Sequence, residues 1–342
     1  MTVAVLVVNW NGGDFLRQCL ESLARQRRRP DHIVVVDNAS SDDSLGLAAA
    51  ALRDVQLIRL PANVGFARAN NIAARAADRF DLLALLNPDA VAEPEWLDAL
   101  VTAADREPAA AAFASQMVLA SAPDYLDGAG DSYHVSGRAW RNGHRARRAS
   151  WPAADVEVFA PCAAAALYRR AAFDEVGGFD EDYFCYFEDV DLGFRLRLRG
   201  YHCVYVHAAV VRHLSSALSG YRSDFAVYHG ERNAVWTFFK DMPGPLLWIY
   251  LPQHVVLNVA SLLYYPWRGQ GRVVLKAKMD AIRGLPAILR RRRLVQRACR
   301  AGAWTLRRAL SRGVAVPYVG RYSSEAPPRT AETRKTDAAS PR

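Results

Sequence analysis

The 342-residue chain has five cysteines and no C-x-x-C pair among them. Cys19, Cys162, Cys185, Cys203 and Cys299 are odd in number and scattered. This excludes a disulfide framework or a zinc knuckle and suits a reducing compartment. A G-x-x-x-x-G-K-[ST] loop is also missing, so no phosphate-cradling lysine loop is available. The N-terminus, MTVAVLVVNWNGG, lacks a basic n-region and a small-residue cleavage site, and reads as a first strand rather than a signal peptide. Acidic residues are scarce in one stretch only. Between Pro266 and Arg312 stand 14 Lys/Arg against the single Asp280, a local +13, whereas residues 1–265 carry −6. The net +9 therefore belongs to one segment, and a nucleic-acid-binding role for the whole chain loses its support.

What is present reads as alternating strands and helices. VAVLVVN (3–9), HIVVVD (32–37), VQLIRL (55–60) and DLLALLN (81–87) are apolar runs of strand length. Helices are expected at Phe15–Arg25, at about Gly65–Ala77, and from Glu93-Pro94-Glu95 onward, where the first turn is acidic. Alternation of this kind predicts an α/β fold with a mostly parallel sheet covered on both faces, and ligands beyond the carboxyl ends of its strands. Asn9, Asp37 and Asp89 all fall at such ends and should share one crevice. Asp42 is read as a helix cap. From about Ala120 to Val158 the pattern dissolves into Gly, Ser, Asp and Arg, a long excursion near the site or an irregular loop. A helix over 189–200 and one or two short strands over 203–213 follow, and then an apolar and finally basic helical region.

Together VVNWN (7–11), VDNASSDDS (36–44), NVGFARANN (63–71), LLNPDA (85–90), GGFDEDYFCYFEDVDLGFR (177–195) and the VVRH ending at His213 resemble an inverting family 2 glycosyltransferase of the GT-A fold, in its bacterial rhamnosyltransferase-like branch. The resemblance covers about residues 3–265. It implies a nucleotide-diphosphate sugar donor, a divalent metal (Mn²⁺ or Mg²⁺), and a hydroxyl of a lipid-linked or polysaccharide acceptor in cell-envelope glycan synthesis. On that basis Asn9, Asp37, Asn63, Gly65 and Asn87 belong to the donor site, with Asp89 binding both donor and metal. His213 is the second metal ligand, whose imidazole favours Mn²⁺. Asn87 stands where the strict D-x-D pattern has its first carboxylate. Asp189 is the base that takes the acceptor proton, Glu188 supports the acceptor pocket, and Asp191 orients the helix. His207 and His254 are read as structural. The best guess for the sugar is L-rhamnose from dTDP-rhamnose, with other UDP-, dTDP- or GDP-hexoses as alternatives.

Two other classes compete. A sugar nucleotidyltransferase resembles G-x-G-T-R-L after its first strand, which VVNWNGGDFL does not match. A basic, non-catalytic binding protein would leave Asp89, Asp189 and His213 without a task. The expected organisation is a catalytic domain over 1–220, an apolar-then-basic membrane-associating region over 221–312, and a disordered tail over 313–342. PLLWIYLPQHVVLNVASLLYYPW (245–267), interrupted by Pro252, Gln253, His254 and Asn258, reads as an interfacial or hairpin-like segment with Trp248, Tyr250, Tyr264, Tyr265 and Trp267 near the headgroups. An internal packing helix fits the same residues, and the Arg290–Arg293 run favours anionic lipid. The protein is thus expected at the inner face of the cytoplasmic membrane, with no nucleic acid as partner.

Overall fold

A computed structural model describes residues 1–51, 54–214 and 223–313. The expected tail lies, from 314 on, outside the described residues, as does the proposed domain boundary at 220. Twelve strands are present among the described residues: β1 (Val3–Asn9), β2 (His32–Asp37), β3 (Gln56–Arg59), β4 (Leu82–Leu86), β5 (Ala90–Ala92), β6 (Ala110–Leu119), β7 (Ala122–Ala129), β8 (Asp131–Tyr133), β9 (Ala139–Arg141), β10 (Val156–Val158), β11 (Ala165–Arg169) and β12 (His202–His213). The helices are α1 (Asp14–Ala24), α2 (Ser44–Leu47), α3 (Phe66–Ala76), α4 (Trp96–Arg106), α5 (Arg170–Glu175), α6 (Glu188–Leu198), α7 (Asp224–Asp241), α8 (Gly244–Tyr264), α9 (Gly271–Arg297) and α10 (Ala303–Ala309).

The central sheet runs β10-β12-β6-β11-β4-β1-β2-β3. β4, β1, β2 and β3 are parallel neighbours, as the alternation predicts. Beyond β4 the sheet is mixed, because β11 returns antiparallel between β4 and β6. That return matters for the site: it sets Ala165 opposite Leu86, so residues 163–164 lie beside the end of β4. β1 and β4 are buried along their whole lengths, and helices α1 and α3 cover opposite faces. Leu16, Cys19, Leu20 and Leu23 of α1 pack with Val3, Val5 and Val7, while Ala67, Ala73 and Ala77 pack with Ala4, Leu6 and Val8. The alternation of β1 side chains between faces explains the split.

Three expectations need correction. The stretch 120–158 is not an irregular loop but an excursion built of strands β7 to β10, whose pairing is irregular enough to hide from periodicity. Residues 245–267 form one continuous helix through Pro252 and then a 3₁₀ turn, not a hairpin. Tyr250 does not face outward: it is buried and accepts a hydrogen bond from Arg307 Nε at 2.7 Å. The C-terminal helices also share cores with the sheet-bearing part of the chain. Phe238, Met242 and Leu246 pack with Phe194 and Leu198 of α6, and Ala281 and Ile288 pack with Tyr183.

Candidate active site

Two features build the end of the crevice beyond β1 and β2. Asn9 and Asp37 are register partners at the ends of β1 and β2. Buried Asn9 donates from Nδ2 to Asp37 Oδ1 (2.9 Å), Ser40 Oγ (3.0 Å) and Ser44 Oγ (2.9 Å), so its amide nitrogen orients Asp37 and the two serines while its Oδ1 has no hydrogen-bond partner among the described residues. Gly12 lies between Asn9 and the next strand end; a Cβ there would sit 2.4 Å from Asn9 Oδ1 and 3.5 Å from Pro88 Cβ. Asp42 accepts from the Ser44 N–H (3.2 Å) and from Gly13 N–H (2.8 Å), but the N-cap of α2 is Asp43, so Asp42 is not the helix cap expected of it and instead ties the β1 loop to the β2 loop.

Asn63 accepts at Oδ1 from Asn38 Nδ2 and from Gly65 N–H, both at 2.9 Å, and so closes the turn that opens α3. Gly65 has φ +85°, and an added Cβ would lie 2.6 Å from both the ring and the carbonyl of Phe184. Gly65→Ala should therefore destabilise the fold by about 1–3 kcal/mol through overpacking and positive-φ strain, and weaken nucleotide binding at the same turn. Denaturant unfolding and a calorimetric titration check this; wild-type values in both would remove Gly65 from the site.

Asp89 and His213 meet because of strand pairing. After Pro88 ends β4, the turn closes with Ala90 N–H donating to Asn87 O at 3.1 Å, and β5 begins. β5 pairs antiparallel with β12, His213 opposite Ala90, and Leu214 N–H donates to Asp89 O at 3.1 Å. Both side chains are buried, and His213 Nε2 lies 3.3 Å from Asp89 Oδ1. Neither atom has a hydrogen-bond partner among the described residues. On the other ring edge, His213 Nδ1 lies 2.8 Å from Asp127 Oδ2. Burial alone would lower the imidazole pKa, but Asp127 and Asp89 outweigh it and raise His213 to about 9. Burial likewise would raise Asp127, yet Arg141, His144 and His213 hold it well below the usual carboxylate range.

These residues fit a divalent cation. When neutral, His213 can donate Nδ1–H to Asp127 and leave its Nε2 lone pair beside the orphaned Asp89 oxygen, the carboxylate–histidine arrangement that orients metal ligands. Hard oxygen with one imidazole suits Mn²⁺ better than Mg²⁺.

Across β11 stands the α6 end of the site. Asn87 N–H donates to Ala164 O at 2.8 Å, while the neighbouring Ala163 N–H donates to Asp189 Oδ2 at 3.1 Å. The segment 163–164 thus ties the Asp89 turn to Asp189. Asp189 is half-buried; burial raises its pKa, moderated by the Ala163 and Val190 N–H groups and by Arg141. Glu188 is fully buried and raised well above the usual range by burial and then by Asp189. Asp191 faces the other way, bonded to Arg195 (2.6 Å) and paired with Lys240, which fastens α6 to α7.

The structure therefore gathers Asn9 with Asp37, Asn63 with Gly65, Asp89 with His213, and Asp189 beside the Asn87 turn. His254, read as structural, donates Nδ1–H to Ser136 O (2.8 Å) and stacks on Phe238. Sequence reasoning missed Asp127, Asp131 and Arg141. Carboxyl oxygens of Asp131 and Asp189 and the Cys162 sulfur lie within 4.8 Å of one another, which places the 120–158 stretch inside the site.

The family described as "Glycosyltransferase like family 2" matches residues 2–234. The chain belongs to that family. It is 30% identical over 277 residues to the N-acetylglucosaminyl-diphospho-decaprenol L-rhamnosyltransferase of Mycobacterium tuberculosis, covering 71% of this chain and 87% of that protein. Among solved structures, GalNAc-T7 with UDP, GalNAc and Mn²⁺ superposes with a TM-score of 0.57 at 17% identity, covering 70% of this chain and 48% of that one. The mannosyltransferase PcManGT from Pyrobaculum calidifontis, in complex with GDP-Man and Mn²⁺, superposes at 0.52 and 17% identity, covering 82% and 86%. The chain is a glycosyltransferase with the GT-A fold and rhamnosyltransferase relatives.

Proposed function

We propose that this glycosyltransferase moves L-rhamnose from dTDP-rhamnose, with inversion, to a hydroxyl of a polyprenyl-diphosphate-linked or polysaccharide acceptor during cell-envelope synthesis. The observation that carries the reading is the pairing of two half-sites through Ala163–Ala164: the buried Asp89–His213 ion pair, with no further hydrogen-bond partner for the facing atoms among the described residues, on one side, and Asp189 on the other. Asp37, Asn63 and Gly65 bind the nucleoside end, with Asn9 holding Asp37. Asp89 and His213, with Asn87 in the same turn, would hold a divalent ion, which would supply positive charge against the donor diphosphate. Asp189 accepts the proton of the acceptor hydroxyl as that oxygen bonds to the anomeric carbon and the bond to the diphosphate breaks on the opposite face. Burial makes Asp189 a stronger base than a free aspartate. Glu188 lines the acceptor side. A screen of dTDP-, UDP- and GDP-sugars for Mn²⁺-dependent nucleotide release, with the product's anomeric configuration determined, tests this. Turnover of another sugar in preference would overturn the rhamnose assignment, and a retained configuration the inversion.

The same reading puts the protein on the inner face of the membrane through α8 and its continuation. Gly244–Arg268 is long and apolar enough to cross a membrane, but only 22% of its most apolar window is buried. Trp248, Val256, Leu263 and Trp267 are exposed, while Leu246, Tyr250 and His254 face the core. A helix buried on one side and bare on the other supports interfacial seating over spanning. The arginine run contributes less than its charge suggests. Arg291 pairs with Asp180 and Asp182, and Arg292 donates to the Phe239, Lys240 and Met242 carbonyls at the end of α7. Arg290 and Arg293 remain exposed. Replacing Trp248, Leu263 and Trp267 together by Ser should cut binding to phosphatidylglycerol vesicles by about tenfold or more, given ~1.5–3 kcal/mol per large apolar side chain fully removed from water. Nucleotide affinity should stay unchanged. Equal co-sedimentation of the variant would count against this face.

A further inference from the structure

The turn that delivers Asp189 carries unusual backbone strain. Phe184 (φ 65°, ψ −63°) and a Cys185 N–H to Tyr183 O bond of 2.8 Å make a γ-turn of the rare, strained form. Tyr186 (φ 66°) and Phe187 (φ 70°) are also left-handed, so three bulky residues within four positions adopt positive φ immediately before Glu188 and Asp189. Each such residue is unfavourable by itself and persists only where its surroundings hold it.

The holder is on α7. Asn233 is fully buried, and its Nδ2 lies 3.0, 3.0 and 2.7 Å from the carbonyl oxygens of Tyr183, Cys185 and Tyr186. Arg232 donates from Nε to Asn233 Oδ1 (2.9 Å), which fixes the amide's orientation, and from Nη2 to Tyr183 O (3.0 Å). On the opposite side the turn abuts the donor end: Ala67 N–H donates to Phe184 O at 3.2 Å, and Gly65 leaves room for the Phe184 ring. One strained turn is thus gripped between the α3 and α7 elements and runs directly into Asp189.

We propose that Asn233, braced by Arg232, is a positioning residue for sugar transfer, clamping the 183–187 turn so that Asp189 is presented to the acceptor hydroxyl. This rests on the reading of Asp189 as the base. It assigns α7 a part in the reaction beyond packing, and a reason for a buried asparagine amide that no apolar residue could replace, since the Tyr183, Cys185 and Tyr186 carbonyls would each lose one donor.

Asn233→Asp keeps the side-chain shape and turns the donor into an acceptor; Arg232→Ala loosens the same clamp from a half-buried position with less risk to folding. In the full-length protein, hydrogen–deuterium exchange over 183–190 should rise about tenfold or more in both variants, with exchange in β1 and β4 unchanged. With dTDP-rhamnose and a short polyprenyl-diphosphate N-acetylglucosamine, kcat should fall by about tenfold or more while Mn²⁺-dependent dTDP affinity stays within about threefold. A general packing defect would instead raise exchange throughout and weaken dTDP binding. If Asn233→Asp does not fold, Arg232→Ala alone decides. Wild-type exchange over 183–190, or a loss confined to dTDP affinity, overturns the proposal. Asp189→Asn run in parallel separates the two ideas. Normal transfer by that variant defeats the base assignment, whereas its failure beside unaffected exchange in the clamp variants defeats the clamp alone.

Discussion

Asp189→Asn should lose glycosyl transfer by a factor on the order of 10² or more, the usual scale of general-base loss, while keeping nucleotide-sugar affinity near the wild-type value. Both carboxylate oxygens of Asp189 accept backbone N–H bonds, from Ala163 and Val190. An amide can satisfy only one of them, so some loss of stability of about 1 kcal/mol is expected alongside the chemistry and must be measured on the same preparation. Glu188→Gln is the informative contrast. Glu188 is buried with Oε2 unpartnered among the described residues, and burial and then the neighbouring Asp189 raise its pKa well above the usual carboxylate range, which favours the neutral form. A neutral carboxyl is well imitated by an amide, so Glu188→Gln should retain most activity. Transfer assays and donor titrations on both variants decide the matter. Near-normal transfer by Asp189→Asn together with collapse in Glu188→Gln would exchange their roles.

The first half of the fold is legible because its strands are buried on both faces and separated by amphipathic helices. β1, β2 and β4 fall within a residue of where apolar runs place them. The ends of those strands announce Asn9, Asp37 and Asp89, since polar residues terminating buried runs are conspicuous. Asp127 and Asp131 are harder. They sit four residues apart in the bulged strand β7 and at the start of β8, where period-2 alternation is broken by glycine, and the residues they meet, His213 and Asp189, are 86 and 58 positions away in the chain. The one local sign was two acids spaced to share a face of an otherwise small-residue segment. Asn233 gave less still: within α7 it looks like an ordinary polar helix residue, and only the strained turn 50 residues earlier reveals its task. The arginine run misled in the opposite direction, because sequence counts charge without showing that Arg291 and Arg292 are consumed by Asp180, Asp182 and the end of α7.

The same long-range logic makes the Asp89–His213–Asp127 row sensitive from either end. Asp89→Ala removes the carboxylate whose Oδ1 faces His213 Nε2, but not the main chain that fixes β5, because Asp89 takes part there through its carbonyl to Leu214 N–H. The fold should therefore survive and the Mn²⁺-dependent part of dTDP affinity should fall by an amount on the order of 10² or more, leaving an affinity that chelation with EDTA no longer changes. His213→Ala should move in the same direction with a smaller loss, since water can occupy the vacated position. Asp127→Asn tests the row from behind. Its Oδ2 lies on the Nδ1 edge of His213, away from Asp89, and would keep the proton of a neutral ring on Nδ1, and such partners are worth about 10–100-fold in metal affinity. It also leaves Arg141 without its 2.7 Å carboxylate partner inside the protein, so its stability cost should exceed that of Asp89→Ala. Calorimetric titration of dTDP with and without Mn²⁺ across the three variants measures the row directly. Unchanged metal-dependent affinity in Asp89→Ala would remove the cation from this position, and a loss in Asp127→Asn without any loss in His213→Ala would show that Asp127 acts through Arg141 rather than through the imidazole.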